Sequence, residues 1–330
     1  MSSALDDISV RARHALRHWG LADQRPELLK YRENAVFRVR LADGGSAALR
    51  LHRPGYHSEA ALVSELEWMA DLRQNGIAVP EPIRTANGSF LVSLDEGAGQ
   101  RQYADLIGWV EGAPLGETGR PLGRSRAELQ ALFGAIGREM ARLHVAADRY
   151  APPSYFERPS WDMPGLLGDN PFWGRFWDCA GLDPADRDFL SDLRDRLLGQ
   201  AGRLATGLDR GLIHADLVRE NVLVDGARLT FIDFDDCGFG FRLFDIATAL
   251  LRNRREPDYE TIRQSLLEGY ASVRPAMQAE FRHLPLFLLL RSLTYIGWAG
   301  ARPDLPDNAD RLARYVQDAR ALAADHHDAA

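Results

Sequence analysis

Six side chains suited to catalysis fall within 23 positions late in this chain. They are His214, Asp216, Asn221, Asp233, Asp235 and Asp236, in the run GLIHADLVRENVLVDGARLTFIDFDDCGFGF. An aspartate can take the proton of a substrate hydroxyl. An asparagine offers a hard cation a neutral oxygen without adding charge, and Mg²⁺ favours one or two carboxylates completed by phosphate oxygens. The run therefore reads as a metal and proton-transfer site. Its neighbours Leu212-Ile213, Val222-Leu223-Val224 and Leu229 to Ile232 are largely apolar, which argues against a solvated surface turn.

Positioning these groups takes a hairpin. Val222–Val224 and Leu229–Ile232 read as strands about Asp225-Gly226, a strong tight-turn pair. Asn221 and Asp233 are nearly symmetric about Ala227, so folding there sets them side by side, with Asp216 one short loop back. Asp233 then projects where an apolar strand ends.

The preceding chain supplies a sheet. Residues 4–20 read as an amphipathic helix, followed by strands at Glu27–Tyr31, Val36–Leu41 and Ala47–His52, the last two joined by Asp43-Gly44-Gly45. Ser58–Gln74 is a helix: Ser58 caps it, Leu62, Leu66, Met69 and Leu72 recur at helical spacing, and Asn75-Gly76 ends it. Strands Phe90–Leu94 and Gln102–Val110 flank the glycine-rich Glu96–Gly99. After Gly112 the character changes to helices at Arg126–Ala147, Pro184–Leu204, Phe244–Arg252, Tyr259–Ser272 and Gln278–Gly297, with a loop-like Pro152–Trp177. A β-rich first third with one helix, then a helical remainder carrying a single hairpin, implies two lobes that part near Gly112–Gly123.

Composition bounds the class. The chain has 330 residues, 45% hydrophobic and 26% charged, which suits an ordinary soluble enzyme. A net charge of −7 opposes nonspecific nucleic-acid binding. Cys179 and Cys237 lack metal spacing and read as reduced thiols. The N-terminus has no apolar h-region, and Leu284–Leu290 is too short to span a bilayer and holds Pro285, so a cytoplasmic protein without membrane partners is expected. No Walker A pattern occurs, which opposes a P-loop enzyme. Lys30 is the only lysine.

HADLVRENVLV followed by IDFDD resembles the catalytic segments of the protein-kinase-like superfamily: an Asp, an Asn five positions on, then a metal-binding Asp. Phe234-Asp235, where protein kinases carry Phe-Gly, makes the chain similar to the aminoglycoside phosphotransferase and choline kinase-like branch. That branch includes kinase-like homoserine kinases and the bacterial stress-response kinase. The resemblance implies an α+β, two-lobed kinase-like fold. Residues 1–112 would form a small antiparallel-sheet lobe with one key helix and a hinge at about 107–112; 113–330 would form a larger, mainly helical lobe.

The same resemblance assigns roles. Asp216 is implied as catalytic base, His214 as a brace of its loop, and Asn221 and Asp233 as Mg²⁺ ligands. Asp245, in RLFDIATAL, matches a loop-stabilising aspartate, an ordinary first-turn acid being the equal alternative. Glu65 matches the glutamate of the lobe-spanning helix, and Trp109 and Val110 match the hinge that meets adenine. Two departures stand out. The third strand, AALRLH, offers Arg50 in place of the lysine that holds phosphates, with Lys30 on a neighbouring strand as the alternative. The phosphate-covering loop is not glycine-rich and holds Arg32, Glu33 and Asn34.

The implied activity is transfer of the γ-phosphate of ATP, bound between the lobes with Mg²⁺, to a hydroxyl of a small amine-bearing metabolite of homoserine, choline or aminoglycoside type. Asp235 and Asp236 would support the site or meet the amine. Only eleven residues separate Asp233 from Asp245, which leaves no activation segment and favours a small molecule over a protein Ser/Thr acceptor. A nucleotide-binding pseudokinase is the third reading. The sequence specifies no oligomeric state.

Overall fold

The computed structural model describes residues 2–31, 34–95, 101–204 and 207–329; Arg32, Glu33 and the glycine-rich Glu96–Gly99 lie outside them. In chain order the elements are α1 (Ser2–Leu16), β1 (Glu27–Tyr31), β2 (Ala35–Arg40), β3 (Ser46–Leu51), α2 (Glu59–Gln74), β4 (Leu91–Asp95), β5 (Arg101–Gly108) and β6 (Ala113–Pro114). Then follow α3 (Arg126–Ala147), β7 (Ser160–Trp161), α4 (Met163–Leu167), α5 (Pro184–Leu204), β8 (Arg210–Ile213), β9 (Val222–Asp225), β10 (Arg228–Phe231) and β11 (Gly238–Phe241). The chain ends with α6 (Arg242–Leu251), α7 (Tyr259–Ala271), α8 (Leu284–Gly300) and α9 (Asn308–Ala329).

The chain divides into two compact units. The first takes the chain through Ala113, Tyr150–Arg158 and the hairpin segment Leu223–Ile232; the second takes Pro114–Arg149, Pro159–Val222 and Asp233–Ala330.

An antiparallel sheet in the order β1-β2-β3-β5-β4 forms the body of the first unit. Its side chains alternate between faces. Phe37, Val39, Ala47, Leu49, Leu51, Ala104 and Leu106 point to one face and pack with Ala12, Ala15 and Leu16 of α1. On the other face Leu62 and Leu66 of α2 meet Phe90 and Leu91. The same period of two puts Arg50 and Asp105, which are register partners, on the α2 side. The Ser58 hydroxyl starts α2 by accepting from the Ala61 amide at 3.0 Å. The β9–β10 hairpin turns at Gly226, φ +57°, and its Phe231 amide donates to the Ala78 carbonyl at 3.1 Å.

Helices dominate the second unit. α3 begins with a full capping box from Ser125 and Glu128 and lies against α7. Glycines let these two helices touch: a Cβ on Gly137 would sit 2.1 Å from the Leu266 carbonyl oxygen, and one on Gly269 as close to that of Gly134. The sequence reading has one hairpin here, whereas the structure adds a sheet in which β11 runs antiparallel to β8 and parallel to β7. The loop-like Pro152–Trp177 contains β7 and α4. α4 is too short to show helical periodicity and is set by its cap, the Asp162 carboxylate accepting from the Gly165 amide at 2.9 Å.

The helix expected from Gln278 begins instead at Leu284, after two 3₁₀ turns, with Pro285 in its first turn where a missing N–H is harmless. α8 is buried nearly all round and α9, absent from the sequence reading, packs beside it. No helix among the described residues is long and apolar enough to cross a membrane.

Candidate active site

β8 delivers the chain to His214 and Ala215. Ala215 has φ +66°, a left-handed conformation that a side chain makes unfavourable by about 1 kcal/mol or more. Asp245, fully buried in the first turn of α6, holds it there. Its Oδ1 accepts from the Ala215 amide at 2.6 Å and its Oδ2 from the His214 amide at 2.9 Å. Oδ2 also meets His144 Nε2 at 3.0 Å, and His144 Nδ1 lies 2.7 Å from the Tyr270 hydroxyl. The arrangement sets the tautomer: Nε2 donates to the carboxylate and Nδ1 accepts from the phenol. Burial alone would raise the Asp245 carboxyl, yet hydrogen bonds from His144 and the loop amides hold it below the usual range. Burial, with Arg242 nearby, pushes His144 down to about 4, so it stays neutral.

The loop so held presents Asp216. Its Oδ2 accepts from Asn221 Nδ2 at 2.9 Å, and the same nitrogen donates to the Asp216 carbonyl at 2.9 Å. Both contacts use the amide nitrogen, which leaves the Asn221 carbonyl oxygen as the end offered to a cation. Asp216 Oδ1 accepts from Arg291 Nη2 at 2.6 Å. His214 Nδ1 accepts from the Asp216 amide at 3.3 Å, and its ring lies 4.4 Å from that of Phe234. Behind the loop, Arg219 is buried and donates to Asn253 at 2.9 Å, to the Arg120 carbonyl at 2.7 Å and to Glu256 at 2.5 Å.

Asp233 follows β10 by two residues, is exposed, and also has a left-handed backbone, φ +67°. Asp236 accepts from Trp173 Nε1 at 3.1 Å through Oδ1 and from Trp161 Nε1 at 2.8 Å through its carbonyl. Burial pushes its carboxyl well above the usual range, and the neighbouring charges of Asp216 and Asp235 push it further. Acidic side chains are therefore crowded around Asp216, and the crowding opposes charge on Asp236. No cluster of three His, Cys, Asp or Glu side chains suited to a metal occurs among the described residues. The amide oxygen of Asn221 and the carboxylate of Asp233 are nonetheless hard donors of the kind that could hold a divalent cation.

In the first unit, Arg50 Nη1 donates to Glu65 Oε1 at 2.8 Å. Arg50 also forks onto Asp105, Nε to Oδ1 and Nη2 to Oδ2, both at 2.8 Å. His52 Nε2 meets Asp105 Oδ2 at 2.5 Å. Burial works against both charges, but each prevails through the other: Arg50 is held well above its ordinary value and Asp105 below. Lys30 is exposed on the edge strand β1. Asn34 accepts from the Arg53 amide at 3.4 Å. The Trp109 amide donates to the Ser46 carbonyl at 3.1 Å, its ring lies 4.5 Å from the Arg38 guanidinium, and Val110 is half-buried beside it in the chain.

The sequence reading missed Asp105, Arg219, Trp173 and Arg291. Arg291 carried a signal, as the sole charged residue of the apolar run LPLFLLLRSLTYIGWAG. Asp105 had one too, an acid within the strand pattern Gln102–Val110.

The model of the phosphotransferase enzyme family, APH, matches residues 27–279. The chain belongs to this family. A homoserine kinase of Nitrobacter winogradskyi is 31% identical over 265 residues, 76% of this chain and 74% of its own. Among solved structures, a microcompartment-associated aminopropanol kinase superposes with a TM-score of 0.81 at 31% identity, covering 97% of each chain. Amicoumacin kinase hAmiN, solved with AMP-PNP, Ca²⁺ and Ami, superposes at 0.74 with 22% identity over 96% of this chain and 95% of its own, a likeness of fold. This APH-family chain is a phosphotransferase of the two-lobed, kinase-like α+β fold.

Proposed function

We propose that this phosphotransferase moves the γ-phosphoryl group of ATP, with Mg²⁺, to the hydroxyl of a small amine-bearing acceptor. The observation that carries the reading is the pinned Asp216 carboxylate, held through Oδ2 by Asn221 and through Oδ1 by Arg291 beside a surplus of acid. A carboxylate oxygen keeps a second acceptor position beside each hydrogen bond. Asp216 thus receives and orients the acceptor hydroxyl and takes its proton as the O–P bond forms. Asn221 and Asp233 would hold Mg²⁺, which when bound supplies charge neutralisation to the phosphates. Asp245 and His214 fix the loop that aims Asp216, so catalysis rests on positioning. Arg50, with Glu65 as its brace, is the phosphate-facing cation; three of its five N–H donors meet carboxylates, and two remain.

The acid surplus supports an amine on the acceptor, since an ammonium near Asp235 and Asp236 would offset it. Homoserine and aminopropanol, named for two relatives, each join one amine to one hydroxyl. Purified protein with Mg-ATP and a panel of amino alcohols and hydroxy-amino acids tests the reading through ADP release. Turnover with such an acceptor, abolished in Asp216→Asn and by EDTA, is the expected outcome. Phosphate arriving only on a protein acceptor, or wild-type turnover no greater than that of Asp216→Asn, sinks it.

A further inference from the structure

Arg291 is a buried cation in a place that stability does not explain. It lies on α8, whose other side chains are uncharged, and its side chain is wholly removed from solvent. Burying a guanidinium is unfavourable unless its donors are met, and a buried ion pair is seldom worth more than the apolar contacts that replace it. Here the donors are mostly unmet: Nε and Nη1 have no hydrogen-bond partner among the described residues. The planar group is instead walled by aromatic rings, with Trp173 and Tyr295 each 4.5 Å from the guanidinium carbon and Phe244 at 5.4 Å. Such faces fix where a guanidinium lies without competing for its directional bonds.

Among the described residues its hydrogen bonding therefore passes through one nitrogen. Nη2 donates to Asp216 Oδ1 at 2.6 Å and to the Tyr295 hydroxyl at 3.1 Å. That hydroxyl is itself fixed, accepting from Arg252 Nε at 3.0 Å while its ring stacks on Tyr315 at 5.4 Å. Asn221 holds the other Asp216 oxygen. Trp173, one wall of the cage, also donates to Asp236 Oδ1, so the same indole ties the cage to the acid beside the site.

We propose that Arg291 is a positioning residue: an aromatic-caged guanidinium that latches the Asp216 carboxylate in the plane needed to receive the acceptor hydroxyl. The rings fix the plane of the cation, and its hydrogen bond to a carboxylate goes to Asp216. The aromatic box is also filled by the protein's own cation, so the acceptor's amine must be met by carboxylates such as Asp236 rather than by these rings. This inference rests on Asp216 being the catalytic base.

Steady-state kinetics on Arg291→Met, Arg291→Lys, Asp216→Asn and the Asp216→Asn/Arg291→Met double variant test it, with an acceptor that wild type turns over. A misplacement of a catalytic group by about 1 Å costs on the order of 100-fold in rate, so Arg291→Met should lose about that in kcat while KM for ATP stays within about twofold. Arg291→Lys keeps the charge and should recover part of the loss. In the Asp216→Asn background, Arg291→Met should change residual turnover by less than about threefold, because a residue acting through Asp216 has nothing left to position. A merely structural role gives losses that multiply, and that result overturns the latch, as does a folded Arg291→Met with kcat near wild type. Should the methionine variant not fold, a lysine variant with unchanged kcat overturns it alone. Full turnover by Asp216→Asn is a different failure: it removes the base assignment itself.

Discussion

Two buried arginines in this phosphotransferase meet carboxylates in opposite ways. Arg50 donates from Nε, Nη1 and Nη2 to Asp105 and Glu65, and Arg158 lies 3.9 Å from the second Glu65 oxygen, so two cations balance two acids. Arg291 hydrogen-bonds one carboxylate through one nitrogen, inside an aromatic box, beside acids that outnumber it. Backbone strain divides the same way: Ala215 and Asp233, two of the three described non-glycine residues with positive φ, lie in the second region. In the first cluster three Arg50 donors meet two carboxylates, so the protein's own groups set its geometry. The second is left with crowded acids and strain that a metal and a cationic acceptor would offset.

The contrast is broken most directly by deleting each cation in turn. Arg50→Met strands Asp105 and Glu65 in a dry interior and should cost about 3–5 kcal/mol of unfolding free energy in urea. Arg291→Met leaves Asp216 with Asn221 and some solvent, and puts an apolar chain among three rings. It should cost less than about 1 kcal/mol while removing most of the turnover. Equal losses of stability in the two variants would erase the distinction between an arginine the fold depends on and one it does not.

How much of this was legible before the structure depends on the range of the interaction. Asp216, Asn221 and Asp233 announce themselves because five-residue spacing and a turn at Asp225-Gly226 are local facts of the chain. The Arg50–Glu65 pair was reachable because a strand and the helix after it share a sheet face. Asp105 was not, since only the β3–β5 register, across 55 residues, sets it beside Arg50. Arg291 lies 75 positions from Asp216 on a helix whose apolar face hides its purpose. β8 and β11 are four residues each, and β11 is the glycine-rich GFGF, too short and too poor in β-branched residues to show a strand pattern. α9 escaped because its charged run reads as a solvated tail until Leu312, Val316, Ala319 and Leu322 are seen on one buried stripe.

A pH titration sharpens the comparison at intermediate size. His144 binds its proton at about 4 in the fold and at about 6.5 when unfolded, so between these values the unfolded chain holds more protons. Stability from this group is complete above about 6.5 and lost as pH falls toward 4, by about 3 kcal/mol in all. Asp245, held below the usual range, adds a further loss at lower pH as it takes up a proton. The catalytic loop should therefore loosen in acid before the Arg50 cluster does. Amide exchange at His214 and Ala215, compared with Arg50 and Leu49 on β3, would show it; equal protection at pH 5 refutes the ordering, and His144→Gln should flatten the stability profile over the same window.

The smallest effect tests whether the acid surplus serves a ligand. Asp236 is held above the ordinary carboxylate range, so the fold keeps a proton that the unfolded chain releases, and stability falls as pH rises above the unfolded value. Asp236→Asn removes that dependence, keeps an oxygen for Trp173, and should raise stability at neutral pH. A stabilised protein then has to show what the acid was for. With Asp236 neutralised, KM for an amine-bearing acceptor should rise about tenfold while KM for ATP holds, because one ion pair at a partly desolvated site is worth roughly that factor. A variant that gains stability and keeps its acceptor KM would place Asp236 with the structural acids instead, and the amine would have to be met by Asp235 or Asp216.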